Sequence, residues 1–183
     1  MRLSVKVLEE AGYEQSMLGL SFNKKQEVEN MPNVAIKLFN KDRGHNKFLE
    51  HCMIWLDLVA PRFFWSQFDT YRVGVSKQSE STMHTIMKGH LTQDHFDVMI
   101  PDIHLKYLNE LIDAEDLIGI KQQLPEGFLQ RREVVLSYKV IRHIDLQRAK
   151  HRLPHWQKFL GDLREQLKYP ELIWTTNRNG ANE

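Results

Sequence analysis

Only one cysteine, Cys52, occurs among the 183 residues. That excludes an internal disulfide framework and a cysteine-rich zinc site, and points to a reducing compartment. Charge of one sign is missing too: 25 lysines and arginines stand against 24 aspartates and glutamates, a formal net charge of +1. Such a balance supplies no global field for steering toward DNA or an anionic bilayer, so neither nucleic acid nor membrane is an expected partner. Long apolar runs are absent; the longest, Cys52–Leu56, stops at Asp57, far short of the roughly 18 residues of a spanning helix. The N-terminus, MRLSVKVLEE, alternates polar and apolar and has no signal-peptide apolar region. These absences predict a soluble, cytoplasmic protein, and the length fits one domain over residues 1–183.

What is present suffices for a core: 42% hydrophobic residues, with 9 Phe, 5 Tyr and 4 Trp. Leu3–Leu8 reads as a strand with Leu3, Val5 and Val7 on one face. A polar stretch runs from Asn23 to Asn30, and Met31–Asn40 reads as a helix with Pro32 in its first turn. Lys41–Gly44 supplies a loop. Met53–Val59 reads as a buried strand, and Pro61 opens a short aromatic helix, Arg62–Phe68. Ser76–Thr82 is polar, rich in serine, and reads as an exposed loop; Gly89–Pro101 is also loop-like. Asp102 caps a helix expected to run to about Gln123. After a break at Leu124–Gly127, Glu133–Leu136 reads as a strand or a helix start, and a helix follows over about Tyr138–His151. Pro154 begins the last helix, with Trp156, Phe159, Leu160, Leu163 and Leu167 in one stripe. The polar tail, Thr175–Glu183, is expected to fray.

Three constellations could carry chemistry. Nine histidines are present, and two of them, His45 and His51, flank Glu50 in GHNKFLEH. Imidazole and carboxylate suit zinc or iron, although a capping and a packing histidine explain the same residues. His90/His95 and His151/His155 are weaker pairs, and Pro154 disrupts the helical geometry the second would need. No metal is expected. The second constellation, Gln67–Arg72 followed by Ser76–His84, gathers hydroxyls with Arg72 and Lys77, a donor set suited to an oxyanion or phosphate, without a P-loop or dinucleotide fingerprint. The third places Lys139, Arg142, His143 and Arg148 on one helix, with Lys121 and Arg131 upstream. Lys139 and His143, four apart, share a face; such a basic face can hold phosphates or simply be solvated.

Taken in order, these segments resemble the flavin-dependent thymidylate synthases (the thymidylate synthase complementing proteins), in a shortened form like those on phage genomes. Gly44-His45 and Glu50-His51 match the family's Gly-His and Glu-His. The likeness continues through Ala60-Pro61 to Gln67, resumes at Leu124-Pro125, and runs through Ser137-x-Lys139, where the family has Asn-x-Arg, to Arg148 and Trp156. It covers residues from about 44 to 84 and 118 to 160. The chain departs at the signature: Thr70-Tyr71-Arg72 stands for Arg-His-Arg, Ser79 for the Glu, and Met83-His84 for the last Arg-Tyr, with a one-residue insertion that puts Ser81 at the phosphate-binding serine.

The resemblance implies an α+β fold, an antiparallel or mixed sheet with flanking helices. It implies reductive methylation of dUMP with FAD as cofactor and NADPH and methylenetetrahydrofolate as co-substrates, in a homotetramer with shared sites. His45, Arg72, Ser137, Lys139 and His143 would approach the flavin. Gln67, Ser79, Ser81, Lys121 and Arg148 would surround the nucleotide, Arg148 acting on the pyrimidine as the catalytic cation. Lys121 keeps the family arginine's charge without its bidentate geometry. Altered chemistry on the same scaffold, such as pyrimidine hydroxymethylation, and a non-catalytic binding protein are the alternatives.

Overall fold

The computed structural model describes residues 1–41 and 44–174. The expected loop residues Asp42 and Arg43 and the tail Thr175–Glu183 lie outside the described residues. Strands β1 (Ser4–Ala11), β2 (Met53–Pro61), β3 (Val75–Ser79) and β4 (Leu129–Ser137) form one sheet in the order β1-β2-β4-β3. Every neighbouring pair is antiparallel.

The register explains the pattern. Ile54 faces Leu136 and Leu56 faces Val134 across β2 and β4, and all four are fully buried. The alternate row, Trp55, Asp57, Glu133 and Val135, looks away from that core. The expected β1 face holds: Leu3 and Val5 are buried, and Val7 packs against the same cluster before a bulge between Val7 and Glu9. Helices α1 (Tyr13–Lys24), α2 (Met31–Leu38), α3 (Arg62–Phe68), α7 (Tyr138–Arg148) and α8 (Pro154–Gln166) supply the other side of this core. A second apolar cluster, around Phe96, Leu108, Ile120 and Phe128, includes α5 (Asp102–Asp113) and α6 (Leu117–Gln123); α4 (Thr82–Thr85) precedes it.

Two expectations change, and one helix is new. The helix expected over 102–123 is two helices: Glu115 takes a left-handed φ of 55°, and the Asp116 carboxylate then accepts from Gly119 N at 2.8 Å to start α6 afresh. Ser76–Thr82 is not a free loop, because its first half is β3, an edge strand whose backbone pairs with β4 while Ser76, Gln78 and Ser79 stay exposed. Helix α1 had no sequence reading: its buried Met17 and Leu20 alternate with exposed Leu18 and Phe22, which blurs any apolar stripe. Among the described residues no helix is long and apolar enough to cross a membrane.

Candidate functional site

Helix α7 starts where β4 ends, because Ser137 turns the chain and its hydroxyl accepts from Val140 N at 3.4 Å. The cap positions one edge of the helix, carrying Lys139, His143 and Gln147 at spacings of four, while Arg148 follows in the last turn about 100° further round. At 1.5 Å per residue the helix rises roughly 14 Å from Lys139 to Arg148. Ile141 and Ile144, on the opposite face, are fully buried. Arg142 does not belong to the basic edge. It is buried, donates to Asn40 Oδ1 at 2.6 Å and lies 5.3 Å from the centre of the Phe39 ring.

At the first end of α7, the Lys139 ammonium donates to Asn46 Oδ1 and lies 3.9 Å from Glu50. Asn46 is fully buried and anchored to Phe39 O at 3.0 Å. The GHNKFLEH segment is thereby pinned to α7. His45 and His51, both exposed, line a cavity of about 220 Å³ against α1, beside Gln15 and Asn23.

At the other end, six side chains form one network. Trp156 Nε1 donates to Gln67 Oε1 at 2.8 Å, and the Arg148 guanidinium lies 5.0 Å from the Trp156 ring centre. Arg148 Nε donates to Tyr71 Oη at 2.9 Å. Tyr71 in turn donates to Gln147 Oε1 at 2.9 Å, and the Gln147 amide lies 3.0 Å from His143 Nε2. Gln67, His143 and Arg148, three of the expected site residues, are therefore joined. Tyr71, which the sequence marks only as a departure from the signature, and Gln147, which has no reading there, join them; the fourfold spacing of Gln147 from His143 is the available signal.

Arg72 is exposed and makes no hydrogen bond to another described residue. Its turn is held against α7 by Gly74, at φ 72°, where an added Cβ would come within 3.1 Å of Val140 Cγ2. Beneath the turn, Asp69 receives Lys77 at 2.7 Å and Arg132 at 3.0 Å, while Arg132 stacks 4.2 Å over the Trp65 ring. Burial pushes the Asp69 carboxyl up, but the hydrogen bonds from Lys77 and Arg132 outweigh it and bring it below the usual carboxylate range.

A separate group forms at α4. Lys121 donates to the Thr82 hydroxyl, next to Ser81, whose carbonyl accepts from His84 N and Thr85 N. Thr82 also lines a cavity of about 290 Å³ with Thr85, Lys88, His90, His95 and Phe128. Ser79 faces Arg132 in the β3–β4 register and is exposed. Among the described residues, no hydrogen bond or ion pair joins Ser81, Thr82 or Lys121 to the α7 residues.

Four further histidines have other partners. His90 lies 2.7 Å from Asp113, His95 Nδ1 accepts from Thr92 N, His151 Nδ1 accepts from Leu153 N, and buried His155 lies 3.0 Å from Asp97. Among the described residues no group of three or more His, Cys, Asp and Glu side chains could hold a metal ion. Cys52 is buried directly before β2, and that burial pushes its thiol up.

No protein-family model matches the sequence, and no curated protein matches it. Among solved structures, a crystal structure of thymidylate synthase X from Helicobacter pylori with FAD and dUMP superposes with a TM-score of 0.80 at 13% identity. A second structure of the flavin-dependent thymidylate synthase of that organism, also complexed with FAD and dUMP, gives 0.81 at 12%. Each match covers 93% of this chain and 97% of the other. The chain thus has the α+β fold of the flavin-dependent thymidylate synthases.

Proposed function

We propose that the protein is a flavin-dependent thymidylate synthase-like enzyme that converts dUMP to dTMP, with methylenetetrahydrofolate as carbon donor and NADPH as reductant. The observation that carries this reading is the network at the end of α7, in which Gln67, His143 and Arg148 meet in one place. The resemblance assigns the first and last of these to the nucleotide and the second to the flavin.

The donor set fits FAD: Arg72 has no competing partner among the described residues, Lys139 is half-buried and cationic, and His45 and His143 are exposed imidazoles. Such groups suit a pyrophosphate and the carbonyl oxygens of a flavin ring. When bound, FAD would supply the hydride chemistry. The chain's own residues bind and orient. Nε of Arg148 is engaged by Tyr71, which leaves its terminal nitrogens to polarise a pyrimidine carbonyl. Trp156 and Tyr71 wall the site against water, and Gln67, its oxygen held by Trp156, keeps its amide hydrogens for the base. Ser81, Ser79 and Lys121 would receive the phosphate. The resemblance implies a homotetramer with shared sites, and the separation of this group from α7 suits a site in which one copy's α4 region serves another copy's α7 residues.

Turnover with FAD, NADPH, methylenetetrahydrofolate and dUMP tests the reading by product mass. Added methyl supports it. Added hydroxymethyl assigns altered chemistry to the same scaffold, a reading favoured by the loss of the Arg-His pair before Arg72. No product with dUMP still bound leaves a binding protein.

A further inference from the structure

Tyr71 stands where the resembled family carries a histidine, and its surroundings give it a task. Only 8% of Tyr71 is exposed, with its ring edge-on to Trp156 at 5.9 Å and to His143 at 6.2 Å. Its hydroxyl has one proton to give, and gives it to Gln147 Oε1; its oxygen accepts from Arg148 Nε, both at 2.9 Å. Fixing the amide oxygen of Gln147 aims the amide nitrogen at His143 Nε2, 3.0 Å away, which then acts as acceptor. Hydrogen-bond direction is thus set along the whole chain of groups, from His143 through Gln147 and Tyr71 to Arg148.

The Arg148 guanidinium is held twice, by the phenol at Nε and by the Trp156 ring face at 5.0 Å. Its terminal nitrogens have no partner among the described residues and are not among the buried unpaired polar atoms. They present the parallel N–H edge that suits an oxygen pair or a carbonyl. A flexible arginine would otherwise have to be ordered at the moment of binding.

We infer that Tyr71 is a positioning residue, whose hydroxyl locks Arg148 in the orientation that presents its terminal nitrogens to the nucleotide. The inference rests on the reading of Arg148 as a nucleotide ligand. It assigns to the departure at Thr70-Tyr71 a role in nucleotide binding, carried through the protein rather than by contact with a cofactor.

The test measures dUMP binding by calorimetry for wild type, Tyr71→Phe, Arg148→Ala and the double variant. Tyr71→Phe keeps the ring and its packing, and is expected to weaken dUMP about tenfold, the scale of one hydrogen bond to a charged group. In the Arg148→Ala background the same change is expected to have no further effect. An equal loss in both backgrounds, or full affinity in Tyr71→Phe, overturns the inference. If Tyr71→Phe does not fold, Gln147→Ala at an exposed position carries the test, with a smaller loss that again vanishes without Arg148. Nitrogen-15 spectra of the ligand-free protein separate the two levels of the argument. A slowly exchanging Arg148 Nε–H in wild type, lost in Tyr71→Phe, establishes the lock; a rapidly exchanging one in wild type overturns it. Wild type that shows the lock yet binds no dUMP removes the functional reading while the lock stands.

Discussion

Arg148 is half-buried over Tyr71 and Trp156 at the rim of the core, so its replacement bears first on binding. Arg148→Ala is expected to weaken dUMP binding by about 1.5–3 kcal/mol, as for a hydrogen bond to a charged group, without unfolding the protein. Calorimetry beside a thermal melt checks both; full affinity in the variant contradicts the assignment. Asp69 gives the opposite case, a residue that matters for stability. Its folded carboxyl is depressed by Lys77 and Arg132, so its contribution is present above the unfolded value of about 3.9 and is lost as pH falls through the folded value. Because 43% of the Asp69 side chain is exposed, solvent screening limits that contribution to about 1 kcal/mol. Urea denaturation of wild type and Asp69→Asn is expected to differ at pH 7, with the difference shrinking as pH falls below about 3.9. Residue identity and spacing put Lys139, Arg142, His143 and Arg148 on one helix, with Lys139 and His143 on a shared face. They could not reveal that Arg142, three residues after Lys139, turns inward to Asn40, because that depends on the approach of residues 39 and 40 across the fold.

Among the elements, the turn between α3 and β3 is the most exacting. Gly74 adopts φ 72°, and any Cβ there would press on Val140 of α7. Gly74→Ala is expected to cost about 1–2 kcal/mol from the left-handed backbone alone, seen as a lowered thermal midpoint; an unchanged midpoint contradicts this account of the turn. The aromatic helix Arg62–Phe68 was legible at its bounds, since Pro61 starts it and its aromatic residues have one place to go. Strand β4 was only half legible: Val134 and Leu136 are buried, but Gln130–Arg132 carry polar ends that disguise the strand. Strand β3 looks like a loop in sequence because an edge strand needs no apolar residues, and its pairing to β4 spans an intervening excursion of about fifty residues. The site suffered likewise. Lys139 and Asn46 meet across 93 positions and Tyr71 and Arg148 across 77, distances over which spacing carries no information.

Across the whole molecule, a few buried polar contacts tie the second apolar cluster to the sheet. Asp97 accepts from Arg2 N at 2.7 Å and lies 3.0 Å from His155 on α8, and Arg62 donates to Leu124 O at 2.9 Å. Asp97 and His155 are each 6% exposed, so Asp97→Ala strands a buried imidazole and an amide and is expected to cost about 1–3 kcal/mol in urea denaturation. An unchanged midpoint would show that the two clusters do not depend on this tie. The shared fold was legible from the order of Gly44-His45, Gln67–His84 and Leu124–Arg148, weak signals that gain force in sequence. The division of the candidate residues between the α7 edge and the α4 group was not legible, since it arises from tertiary packing alone. Both groups bear on one question, whether this scaffold holds a flavin and a nucleotide together. The most direct measurement is the absorbance spectrum of the purified protein after incubation with FAD and removal of free flavin, with and without dUMP. The account predicts a retained flavin band that dUMP strengthens; a colourless protein under both conditions would contradict it.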